Sequence, residues 1–155
     1  MDLGCYGLHV MRSLGRLAAP GIEGRPSIVR AHAEERTPGV DAWCDVELGF
    51  PGGATGLTAN SMVGDHRSFT IRIAGTGGDL MVHDFISPST DDRLTITTAD
   101  GTTVEHLGTT ASYTYQLEAF AAHVEQGTAL PYGTADAVAN MAFVDEAYRA
   151  AAVVR

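Results

Sequence analysis

The sequence predicts an α+β domain, a mainly antiparallel open sheet with helices packed on one face. Three observations predict it. Helical spacing of apolar residues is confined to the two ends of the chain, period-two alternation fills the middle, and short glycine turns join the alternating segments. Strands joined by such short turns pair antiparallel, because a parallel pair needs a long crossover between its members.

Leu3, Gly7, Val10, Leu14 and Leu17 recur at helical spacing, with Met11 beside Val10, and predict an amphipathic helix over residues 3–17. Pro20, Gly21, Gly24 and Pro26 then break the chain. From residue 28 the period changes to two. Val40, Ala42, Cys44, Val46, Leu48 and Phe50 alternate with Asp41, Trp43, Asp45, Glu47 and Gly49, the pattern of a strand with one buried and one polar face. Pro51-Gly52-Gly53 turns the chain into a returning strand over 54–63. Further strands are predicted over 69–73 and 80–86, joined through Gly75-Thr76-Gly77-Gly78, and over 93–99 and 102–107 around the hairpin signal Asp100-Gly101. Leu117, Phe120, Ala121 and Val124 mark a helix that ends at Gly127. Ala137, Met141, Val144, Tyr148 and Ala151 mark a last one, with Thr134 as N-cap and Asp136 in its first turn.

The 155 residues carry 10 basic and 19 acidic side chains, a formal charge of −9, and every basic residue is arginine. The absence of lysine excludes Schiff-base chemistry, a P-loop phosphate clamp and a lysine acid from this chain. The acidic balance argues against a nucleic-acid partner, which would need clustered basic residues. A chain that is 45% hydrophobic and 19% charged has the composition of one folded domain, spanning 1–155. No apolar run approaches the ~18 residues of a membrane span. The opening segment has its charges in the wrong order for a signal peptide, with Asp2 before the apolar stretch and Arg12 and Arg16 after it. Cys5 and Cys44 cannot make a disulfide framework and read as reduced thiols of a cytoplasmic protein.

Most common sites are excluded by inspection: there is no HExxH, GxSxG, CxxC or Walker pattern. Gly75-Thr76-Gly77-Gly78 joins strand to strand and reads as a turn rather than a dinucleotide loop. The six histidines lack the paired spacing of metal ligands, so no metal is expected. One constellation is left. Asp2, Tyr6, His9 and Ser13 fall at i, i+4, i+7 and i+11, a polar stripe on the first helix. A carboxylate one turn from a phenol sets a charge-orienting group beside a proton donor, as general acid–base catalysis requires. An aspartate that serves the helix dipole and a tyrosine that packs fit the same spacing.

Met1-Asp2-Leu3-Gly4-Cys5-Tyr6-Gly7-Leu8-His9 resembles the segment that opens the second domain of the Gfo/Idh/MocA oxidoreductases. The resemblance continues in order through Gly39-Val40-Asp41, Phe50-Pro51-Gly52-Gly53, the Gly75–Gly78 turn, Tyr115-Gln116-Leu117 with Phe120 and Gly127, Ala135-Asp136-Ala137, and Val144-Asp145-Glu146-Ala147-Tyr148. It covers nearly the whole chain. The resemblance implies that complete members pair a nucleotide-binding domain, holding NAD or NADP, with a second domain that covers the active site and oligomerises through its sheet face. It implies catalytic roles for Asp2 and Tyr6, a substrate contact at His9, and the pattern of the glucose–fructose and dihydrodiol branch.

The resemblance also implies a glycine fingerprint and a catalytic lysine in that first domain, and neither is present in this sequence. The expectation is therefore a reading frame that begins at an internal methionine. The chain would be a substrate-binding and oligomerisation portion, inactive alone and without a cofactor of its own. It would act on a polyol, sugar, cyclitol or dihydrodiol hydroxyl once a nucleotide-binding domain, on the same or a separate chain, is supplied. A standalone dimerisation or small-molecule-binding module derived from the family fits the same residues. In either case self-association through the sheet face that carries Trp43 is expected.

Overall fold

Helices form where the sequence repeats at 3.6 residues and strands where it alternates, in the order the sequence predicts. A computed structural model describes residues 3–17 and 19–152. The elements are α1 (Gly4–Leu14), β1 (Ser27–Thr37), β2 (Val40–Gly49), β3 (Thr55–Ser61), β4 (Ile71–Gly75), β5 (Gly78–Val82), β6 (Arg93–Thr98), β7 (Gly101–His106), α2 (Ser112–Gln126) and α3 (Thr134–Ala150). All strand pairs within the sheets are antiparallel, so the fold class is α+β as expected. The strand run divides, however, into a three-stranded sheet β1-β2-β3 and a four-stranded sheet β4-β5-β6-β7. The chain forms two units accordingly, residues 1–65 with 132–155, and residues 66–131.

The first unit holds the core. Cys44, Val46 and Leu48 of β2 point to one face, with Ala31 of β1 beside them. Leu8 of α1 and Phe143, Val144, Ala147 and Tyr148 of α3 close over that face. The expected alternation in β2 holds from Ala42 to Leu48, with two departures at its start: Val40 is exposed, and Asp41 is buried, its Oδ1 accepting a hydrogen bond of 2.5 Å from the Tyr148 hydroxyl. A buried carboxylate needs such a donor, because unpaired it would keep its full desolvation cost.

The apolar stripe of α1 is rotated from the expected one. Gly4 and Leu8 are buried, with Cys5 and Met11 packed against the core, whereas Leu17 is 65% exposed. The turn of the stripe follows from how closely α1 approaches β3. Gly7 has no side chain where a Cβ would lie 3.0 Å from Asn60 Oδ1 and 3.3 Å from Thr58, and the helix seats on that gap. Helix α3 likewise buries its second half only, leaving Val138 and Met141 exposed. Its N-cap is Gly133 rather than Thr134, and no side chain caps it.

The second unit is a meander. The Gly75–Gly78 turn joins β4 to β5 and the Asp100-Gly101 turn joins β6 to β7, both as read from the sequence. Ile71, Ile73, Leu80, Val82, Leu94 and Ile96 fall in register on one face of this sheet. They are only half-buried, and no residue between 66 and 130 is buried. Helix α2 ends at Gly127 in the left-handed conformation, φ 70°, that glycine tolerates. It buries none of its residues, so Leu117, Phe120 and Val124 stand exposed instead of packing on a sheet.

Candidate functional site

Asp2 lies outside the described residues. Tyr6 and His9 stand three residues apart on α1, so they are neighbours on its surface. Tyr6 is 47% exposed. His9 is drawn toward α3: its Nδ1 lies 3.5 Å from Asp136 Oδ2 and its Nε2 3.5 Å from Ser13 Oγ. The Tyr132 ring meets the imidazole edge-on, with centroids 4.9 Å apart. Three members of the polar stripe therefore share one helix face, and His9 and Ser13 touch each other across one turn.

The residue that organises this surface is Asp136, in the first turn of α3. Its Oδ1 accepts from Arg12 Nη2 at 2.9 Å and from Arg16 Nη2 at 2.5 Å. Arg12 also donates through Nη1 to Asn140 Oδ1 at 3.1 Å, and Asn140 Nδ2 donates to the Cys5 carbonyl at 3.1 Å. The Arg16 guanidinium lies 5.3 Å over the Tyr132 ring. Burial pushes the Asp136 carboxyl upward. The Arg12 hydrogen bond and the positive charges of Arg12, Arg16 and His9 outweigh burial and hold it below its ordinary value of 3.8.

Chemically, α1 presents a solvent-reachable phenol at Tyr6 and an imidazole at His9 whose two nitrogens are both engaged. A carboxylate fixed by two guanidinium groups stands behind the imidazole. A phenol in this position can give or take a proton at a hydroxyl brought to the helix face, and the Asp136 network keeps the neighbouring ring in one orientation. Arg12, Arg16, Tyr132, Asp136 and Asn140 were not singled out by the sequence as a group. Arg12 and Arg16 are one turn apart, which is a signal for a shared partner, but that partner lies 124 residues away from Arg12.

The Gly75–Gly78 turn does not fit a dinucleotide phosphate. Gly75 and Gly78 pair across a hairpin, so no helix N-terminus follows the glycines to receive an anion. Among the described residues no cluster of three His, Cys, Asp or Glu is arranged to hold a metal ion. No helix of the described residues is long and apolar enough to cross a membrane.

Comparison with protein-family models and with curated proteins finds no match. Solved structures do match in fold. An oxidoreductase from Agrobacterium radiobacter, in complex with NAD+, L-tartaric acid and magnesium, is 22% identical with a TM-score of 0.69, over 99% of this chain and 47% of its own. Levoglucosan dehydrogenase, in complex with NADH and levoglucosan, is 18% identical with a TM-score of 0.70, over 96% of this chain and 47% of its own. A 3-ketoreductase from Actinomadura kijaniata, in complex with TDP-benzene and NADP, is 18% identical with a TM-score of 0.66, over 98% and 43%. The chain thus spans under half the length of the oxidoreductases it matches, and its fold is that of their C-terminal domain.

Proposed function

We propose that this chain is the substrate-binding and oligomerisation portion of an NAD(P)-dependent oxidoreductase that acts on a sugar, cyclitol or dihydrodiol hydroxyl. The observation that carries the reading is the extent of the fold match. Nearly all of this chain superposes on less than half of three oxidoreductases, each solved with a nicotinamide nucleotide. The match supports the family assignment, and the motif order from Asp2 to Tyr148 supports it independently.

In this reading Asp2 and Tyr6 handle the proton of the substrate hydroxyl, and His9 contacts the substrate. The exposure of Tyr6 suits that role. Asp136 acts through His9 as a positioning residue. The nicotinamide nucleotide is held by a different domain, on the same polypeptide or a separate one, and the 155 residues alone do not turn over. The protein works in the cytoplasm as a homo-oligomer joined through the sheet face that carries Trp43.

Isothermal titration of the isolated chain with NADH and NADPH tests the division of labour. No binding is expected, and tight binding of either nucleotide would sink the proposal. Supplying a nucleotide-binding domain of the matched oxidoreductase type, fused to the chain or as a separate chain, should restore dehydrogenase activity. That activity should fall by at least two orders of magnitude in Tyr6→Phe, as expected for loss of a general acid–base.

A further inference from the structure

Strand β1 lies at the edge of its sheet. It pairs with β2 on one side, and among the described residues no strand or main-chain hydrogen bond meets its other side. The N–H and C=O groups along that side are therefore open to another strand. We propose that this edge pairs antiparallel with the same edge of a second copy of the chain, joining two three-stranded sheets into one. The contact is separate from the sheet face that carries Trp43, and it does not rest on the proposed chemistry.

Charge is the first argument. In a chain of net charge −9, β1 carries Arg30, Glu34, Glu35 and Arg36 and is neutral on balance. Charges that guard an edge against pairing repel a second copy. Those of β1 complement one. Register shifts between Ile28 and Arg30 and between Glu34 and Glu35 leave Arg30–Glu34 as the regular stretch, with His32 at its centre. Antiparallel pairing centred on His32 sets Arg30 opposite Glu34 of the second copy, and Glu34 opposite Arg30 of the second copy. Arg30, His32 and Glu34 are all exposed, and among the described residues Arg30 has no ion-pair partner. A slip of two residues sets Arg30 against Arg36 or His32 and loses both pairs. A slip of one residue sets the core-facing Ala31 and Ala33 against outward-facing positions.

The helix above the edge is the second argument. Helix α1 packs over β3 and α3 over β1, so the side of α3 turned away from α1 overhangs the open edge. Asp136 and Asn140 mark the side that faces α1, through Arg12. At 3.6 residues per turn, Val138 and Met141 lie about 200° and about 140° around the helix from Asp136. Both are apolar and exposed, at 65% and 51%. Asp145 and Arg149 follow on that side and carry opposite signs, so the strip is neutral as well as apolar.

Strand and helix lead to the same arrangement. Pairing β1 with itself in this register relates the copies by a two-fold axis perpendicular to the sheet, which puts both α3 helices on one side. The exposed strip of each α3 then faces that of the other across the new strand pair. The symmetry is closed, so each β1 edge is used up and the contact ends at two chains. A strand added at a sheet edge draws affinity from main-chain hydrogen bonds and specificity from the side chains opposite, here the two Arg30–Glu34 pairs.

Sedimentation of the chain at micromolar concentration is the first test, and association is expected. Arg30→Glu and Glu34→Arg should each weaken it about tenfold, because each sets like charges opposite one another twice per dimer. An equimolar mixture of the two variants should recover it, since each supplies the charge that the other lacks. Recovery on mixing also shows that both variants are folded. Hydrogen exchange separates the edge from the sheet face. Amides of residues 30–34 that point away from β2 should exchange at least tenfold more slowly in the wild type than in Arg30→Glu at the same concentration. A wild type that is only monomeric, association without that protection, or a mixture no more associated than its two components overturns the proposal.

Discussion

Asp136 shows how much one side chain can gather. Its carboxylate sits 10% exposed between Arg12, Arg16 and His9, and removing its charge would leave Arg12, at 9% exposure, without its ionic partner. Asp136→Asn should therefore cost about 2 kcal/mol, below the full value for a buried pair because Arg16 is half in solvent. Urea denaturation measures it. The pH dependence has a definite sign. The folded carboxyl lies below its ordinary 3.8, so its stabilisation is complete above that value and is lost as pH falls through the lower, folded value. The gap between wild type and Asp136→Asn should be largest near neutral pH and close below about pH 4. Cys44 gives a second prediction at this scale. Burial, then the charges of Asp41 and Asp45, push its thiol up to about 11. At pH 8 Ellman's reagent should reach Cys44 only after unfolding, since the thiolate is the reactive form. The polar stripe of Tyr6, His9 and Ser13 was legible in the sequence because helical spacing is local. The grip of Asp136 on Arg12 was not, because a contact across 124 residues leaves no trace in spacing.

At the scale of elements, boundaries were legible to within a few residues and buried faces less so. Glycines and alternation delimit β2, β3 and the hairpins, and these agree with the sequence reading. The first helix is shorter than expected, ending at Leu14, because Gly15 lets the next segment cross it closely. The Gly24 N–H donates to the Gly15 carbonyl at 2.9 Å, and a Cβ at Gly15 would run into the Gly24 carbonyl oxygen. Gly15→Ala should thus destabilise by about 2 kcal/mol, although alanine ordinarily favours a helix over glycine. A thermal melt decides the sign. Helix α2 makes the opposite prediction. Leu117 and Phe120 are 67% and 57% exposed, so Leu117→Glu with Phe120→Glu should leave the thermal midpoint nearly unchanged, within about 0.5 kcal/mol per site. The same double variant should lower the binding of a hydrophobic dye, because it removes an exposed apolar stripe.

At the scale of the whole molecule, the proposed self-association involves the sheet face that carries Trp43. Trp43 is half-buried on the outer face of β1-β2-β3, where its Nε1 donates to Glu34 Oε2 at 3.1 Å and its ring meets His32 edge-on. Leu57 shares that face and is 58% exposed. If the chain self-associates there, Trp43→Glu should shift sedimentation toward monomer at micromolar concentration. An unchanged sedimentation profile would place the contact elsewhere. The sequence by itself determined the α+β class, the order of helices and strands, and the positions of the hairpins. These depend on the periodicity of neighbouring residues and on glycine's tolerance of positive φ. Only the tertiary structure decided that the strands divide into two sheets, that Asp41 is buried on Tyr148, which faces of α1 and α3 meet the core, and that Asp136 gathers two arginines and a histidine. Those outcomes depend on which surfaces close against each other, and helical or strand period is blind to the partner that a face will meet.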